Sequence, residues 1–136
     1  MAESSNAFPF NHTGVFSIGT DKPGAPTLKA VLSVPANSST VSGHGVLTQA
    51  TNPPLHVNNA FHGVVHSLGL GPAKQVYSVQ GSAVPPLLGA PHVTQLVIVL
   101  DGIWGSKGTA TYTYVTGSVF HEITDVPVTV QWLLQE

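Results

Sequence analysis

The sequence has no cysteine and no arginine, and only 7% of its residues are charged, against about 25% in an ordinary soluble domain. Without cysteine, disulfide staples and thiolate chemistry are excluded; the compartment stays open, with cytoplasm the simpler expectation. Four lysines against six carboxylates, a net charge of -2, cannot neutralise a phosphate backbone, so nucleic acid is not an expected partner. Long apolar runs are missing as well: Leu96 to Leu100 falls far short of the roughly 18 residues that span a bilayer. Met1 to Phe10 carries Glu3 and no basic region ahead of an apolar stretch. It therefore reads as the start of a flexible arm over residues 1–12 rather than as a signal peptide. The two Asn-x-Ser/Thr sequons, at Asn11 and Asn37, read as accidental without a secretion signal.

What is present is apolar mass. At 136 residues and 42% hydrophobic, the chain can bury a core without staples and is not a disordered polymer. A single domain over residues 13–136 is expected. A surface rich in Ser, Thr, Asn and Gly with little net charge offers weak repulsion between copies, so homo-oligomerisation is expected too.

No window holds the i, i+3, i+4, i+7 spacing of an amphipathic helix for more than about a turn, and Gly and Pro punctuate the chain throughout. Alternating apolar and polar residues between turn clusters predict strands instead. They are expected at Thr13–Thr20, Thr27–Val34, Thr40–Ala50, Leu55–Ser67, Gln75–Ser82, His92–Leu100, Gly108–Thr116, Phe120–Thr124 and Val126–Leu134. Within Thr27–Val34, Leu28, Ala30, Leu32 and Val34 share one face, and within Leu55–Ser67 so do Leu55, Val57, Phe61 and Val65. Glycines at positions 43 and 45 mark bends. Leu96 to Leu100 is apolar on both faces, which suggests a wall covered by a neighbouring subunit. About eight strands joined by short turns predict an all-β antiparallel barrel, mostly an up-and-down meander; a two-sheet β-sandwich satisfies the same alternation.

Several segments carry a resemblance: Gly19-Thr20-Asp21-Lys22-Pro23-Gly24-Ala25-Pro26-Thr27-Leu28, Thr48-Gln49-Ala50-Thr51-Asn52-Pro53-Pro54-Leu55, Gly108-Thr109-Ala110-Thr111-Tyr112-Thr113-Tyr114 and His121-Glu122-Ile123-Thr124-Asp125-Val126-Pro127-Val128. Together they resemble a family of short, mainly bacterial proteins that bears only a domain-of-unknown-function label. The resemblance spans about Gly14 to Val130 and implies a single domain; it implies no activity, cofactor or ligand.

Seven histidines raise the question of a metal. His44 and His62 would face each other if the third and fourth strands pair across Asn52-Pro53-Pro54, with His66 on the same face. The carboxylates are scattered, the spacing matches no zinc pattern and that face reads as the outside, so neither metal nor cofactor is expected. Catalysis finds no support either. Asp101, Glu122 and Asp125 lie at strand ends, and His121 and Glu122, being adjacent in a strand, point to opposite faces.

Phe61, Tyr112, Tyr114 and Trp132 are the residues expected to line an interior site for an apolar or amphipathic small molecule, the alternative being a filled core. Ile103 and Trp104, in a hairpin tip, are the expected surface-interaction pair. The first functional expectation is a noncatalytic, ligand-binding, self-associating barrel. The others are a carbohydrate- or protein-binding module acting through its loops, and a barrel isomerase or cyclase.

Overall fold

The computed structural model describes residues 11–20, 22–51, 54–67, 75–85, 90–101 and 106–134. Eight strands follow in chain order: β1 (His12–Gly19), β2 (Thr27–Val34), β3 (Thr40–Gln49), β4 (Leu55–Ser67), β5 (Gln75–Ala83), β6 (His92–Leu100), β7 (Lys107–Thr116) and β8 (Val119–Leu134). Each pairs antiparallel with the next, and β8 returns to β1, so the sheet closes. Ser17, for example, lies between Lys29 of β2 and Thr129 of β8. Closure selects the barrel over the sandwich; β8 meets β1 over Val128–Leu134, and its first half extends past the end of β1. Among the described residues there is no helix, hence none long and apolar enough to cross a membrane.

The two-residue alternation decides which side chains enter the barrel. Phe16 and Ile18 of β1, Leu28, Ala30, Leu32 and Val34 of β2, Val41 and Leu47 of β3 and their counterparts on the other strands are buried. The outward positions between them include Lys29, His44, His62, Gln80, Gln95 and Glu122, all exposed. Apolar inside and polar outside is the reverse of a barrel whose wall faces lipid.

Tight closure draws on glycine at inward positions. A Cβ at Gly43 would run into the Val31 carbonyl oxygen of β2, so the strand coils there closer to its neighbour than any other residue allows. Phe61 fills the space that glycine leaves. It pairs with Gly43 on one side and Gly81 on the other, and its ring lies where a Cβ on Gly45 would stand, 2.8 Å from Phe61 Cε2.

The structure differs from the expected strand map in three places. The segments Phe120–Thr124 and Val126–Leu134 are one continuous strand, β8, interrupted by a bulge: Ala110 pairs with Val126 but Tyr112 with Ile123, and Asp125 has a φ of 53°. Aspartate tolerates this left-handed conformation, and the Asp125 amide donates to Thr111 Oγ1 at 3.2 Å. β1 begins at His12, which the sequence leaves in the arm; the ring is buried, with its centroid 5.5 Å from that of Trp132. Finally, His44 and His62 are not partners. His44 faces Ala60 and His62 faces Ser42, because β3 and β4 pair two residues away from the register that would oppose the two imidazoles.

Candidate functional site

In an antiparallel meander the strand ends fall on two rims. The connections after β1, β3, β5 and β7 leave from one, here the distal rim; both described chain ends lie at the other, the proximal rim. The expected ligand-lining residues are divided between them. Trp132 pairs with Gly14 and belongs to a proximal aromatic group. Its ring centroid is 5.8 Å from that of Phe16, which in turn lies edge-on to Tyr77 at 5.4 Å. Tyr114 pairs with His121, far from Trp132 along β8, and stacks on that imidazole at 4.6 Å. Tyr112 lies beside Tyr114, with 6.1 Å between ring centroids. Phe61 sits on its glycines.

Phe61, Tyr112 and Tyr114 are part of the buried core, and Trp132 packs against it partly buried. The distal half of the interior also carries polar atoms. Tyr114 Oη donates to Gln49 Oε1 at 3.5 Å, a long contact across the mouth, and His121 Nε2 lies 2.9 Å from Thr116 Oγ1. The Tyr112 hydroxyl is buried and has no hydrogen-bond partner among the described residues. Burial raises the Tyr112 pKa well above the usual tyrosine value, with the neighbouring Tyr114 adding to the shift; burial alone raises Tyr77 and Tyr114.

Asn59 is a buried polar residue that the alternation hides among Val57 and Phe61. Its Oδ1 accepts from the Val93 amide at 2.7 Å and its Nδ2 donates to the Val57 carbonyl at 3.2 Å. The β5–β6 ladder ends at Gln80 and Gln95, so Asn59 reaches past β5 to satisfy the amide left beyond it.

Concavities open on the outside of the barrel. A groove of about 470 Å³ runs beside the distal rim between β8, β1 and β2, lined by Ser17, Thr27, Lys29 and Thr129 among others. Another, of about 460 Å³, lies at that rim and is bounded by Lys22, Thr48, Gln49, Leu55 and His56. Ile103 and Trp104 lie outside the described residues. An exposed aromatic that sequence reasoning missed is Phe120, 70% exposed, next to Val119 at the start of β8. Gly117, with a φ of 61°, opens the two-residue β7–β8 connection and takes the position where a tight hairpin favours glycine. That Gly-Ser pair was the available signal.

On the outer wall, Val76 pairs with Val99, Val97 lies two residues along on the same face, and Val64 sits diagonally across from Val76. His121 points inward against Tyr114 while Glu122 is exposed, so the two do not form an acid–base pair. Among the described residues no three His, Asp or Glu side chains gather closely enough to hold a metal ion.

Compared with known proteins, residues 11–120 match the model of a family described as Domain of unknown function (DUF1842). The match runs from β1 into the first residues of β8. No curated protein matches the chain.

Proposed function

The chain belongs to the DUF1842 family of short, mainly bacterial, uncharacterised proteins, and on that premise we propose that it is a noncatalytic barrel that works by binding, first of all to further copies of itself. The observation that carries this reading is the valine field on the β4–β6 wall. Val64, Val76, Val97 and Val99 adjoin one another on a surface where the strand alternation calls for polar residues. The valines lie on a sheet face and not along the flank of β8 that extends past β1, so copies would associate face to face rather than by strand addition.

Light scattering after size exclusion, over a range of protein concentrations, tests the reading. A Val97→Lys, Val99→Lys variant should be monomeric where the native chain is not, with an unchanged β circular-dichroism spectrum. A native chain that stays monomeric at about millimolar concentration, where contacts too weak to matter would still be populated, refutes it.

A second reading, an apolar or amphipathic small molecule held against Phe61, Tyr112 and Tyr114, with Trp132 at the other rim outside that site, is favoured by one observation: the buried Tyr112 hydroxyl without an acceptor among the described residues. A ligand carbonyl or carboxylate would supply that acceptor once the Tyr114–Gln49 contact opened. Native mass spectrometry of the purified protein would then show added mass that Tyr112→Phe reduces. Bare protein masses in both would remove this reading and leave the first intact.

A further inference from the structure

Histidine is the side chain whose charge ordinarily changes between about pH 5 and 8. In this chain seven histidines outnumber both the four lysines and the six carboxylates, so acidification reverses the sign of the net charge. The fold does not spread these groups evenly. His44 on β3 and His56, His62 and His66 on β4 are all exposed on one wall.

The register orders them into a line. His56 pairs with Thr48, the Ala60 opposite His44 comes next along β4, and His62 and His66 follow on the same face. At about 3.3 Å per residue the line from His56 to His66 runs for about 33 Å. Next to it on β2 the outward residues are Lys29, Val31 and Ser33; on β5 they are Val76, Ser78, Gln80 and Ser82. Lys29 on β2, and Lys22, which bounds the same rim concavity as His56, are the described charged groups beside the line, and their sign is the same. The described carboxylates lie elsewhere: Asp101 follows β6, and Glu122 and Asp125 are on β8, four strands away around the barrel. Nothing described on this wall offsets the charge that protonation brings.

We propose that the β3–β4 wall is an acid-dependent binding surface for a linear, carboxylate-bearing polysaccharide. The charged line is long and narrow, three histidines along β4 with His44 beside them on β3, which matches an extended chain lying along β4. Its flanks are hydroxyl and amide side chains, Ser42, Thr48, Asn58, Ser78 and Gln80, suited to hydrogen bonds with sugar hydroxyls. A single-stranded nucleic acid fits less well, since no Phe, Tyr or Trp lies on the outward positions of this wall to stack on bases. A bilayer fits less well too, since Val64 is the exposed large apolar residue there.

Polygalacturonate is the probe, with neutral dextran and anionic phospholipid vesicles as comparisons, each titrated calorimetrically at about pH 5.5 and 7.5 in low salt. Polygalacturonate should bind about tenfold tighter at the lower pH, lose that gain as salt screens it, and leave dextran unbound. His44→Gln, His62→Gln, His66→Gln in one chain should abolish the gain, whereas Lys107→Gln, which removes a permanent charge from β7, should leave most of it. Circular dichroism confirms the fold of each variant. Equal loss with Lys107→Gln would reduce the effect to net charge and overturn the proposal, as would binding independent of pH or a preference for vesicles. A Val97→Gln, Val99→Gln variant, which disrupts the valine field without adding a cation near His66, should keep the pH-dependent gain in polymer binding, so this outcome and the self-association result are read separately.

Discussion

At the scale of single residues, two buried polar side chains make opposite predictions. Asn59 satisfies the Val93 amide where the β5–β6 ladder has ended. Asn59→Leu keeps the volume but leaves that amide without an acceptor, at a cost of about 1–3 kcal/mol. A lowered denaturant midpoint with unchanged slope is the expected result. Tyr112 is the reverse case, because its hydroxyl has no partner among the described residues. Removing it in Tyr112→Phe should therefore stabilise the ligand-free protein by about 1 kcal/mol, and a clear fall in melting temperature would show that the hydroxyl has an acceptor after all. Both residues occupy inward positions of the alternation. Sequence placed Tyr112 there, but passed over Asn59, because periodicity fixes a side chain's direction and says nothing of which backbone group it will meet.

At the scale of elements, the bulges in β6 and β8 decide how much the alternation can tell. In β8, Val126, Val128 and Val130 point inward at even positions, whereas Ile123 and His121 do so at odd ones, because Asp125 adds one residue to the strand. In β6, Val93 and Leu96 are both buried across a similar shift at Thr94. Phe120 lies beyond the β8 bulge, so its exposure could not be read by extending the phase of Val128 and Trp132 backwards. The bulge is expected to depend on the left-handed tolerance of its residue. Asp125→Val, β-branched at a φ of 53°, should cost about 1–2 kcal/mol, while Asp125→Gly should cost less; urea unfolding of the pair compares them. A valine variant as stable as the native chain would mean that β8 can pair without the bulge.

At the scale of the whole molecule, the closed wall and the tyrosines buried behind it set how the protein responds to alkaline pH. Tyr77 and Tyr112 are held neutral by burial above the usual tyrosine pKa of about 10. Above that pH the unfolded chain releases these protons and the folded chain keeps them, so the unfolded state binds fewer protons and stability falls as pH rises. Each tyrosine held neutral contributes a slope of up to about 1.4 kcal/mol per pH unit. Thermal melts should therefore be nearly flat from pH 8 to about 10 and drop steeply beyond, and a Tyr77→Phe variant should drop less. A melting temperature unchanged up to about pH 11 would show that these hydroxyls are accessible to solvent in the folded barrel.

The sequence by itself determined the strand content, most strand boundaries and the inward set of Leu, Val, Phe and Tyr, because extended backbone forces side chains to alternate and water drives the apolar ones to one side. It did not determine closure, the pairing register or the grouping of residues. His44 and His62 share a face in the sequence pattern, yet they stand two residues out of register. Phe61, Tyr112, Tyr114 and Trp132 all point inward, yet they divide between two rims. Those outcomes depend on where glycines let neighbouring strands approach and where bulges shift the ladder, and both are properties of strands already paired. Tertiary structure also gathered four histidines on a wall without described carboxylates, since the distance around a barrel is set by strand order.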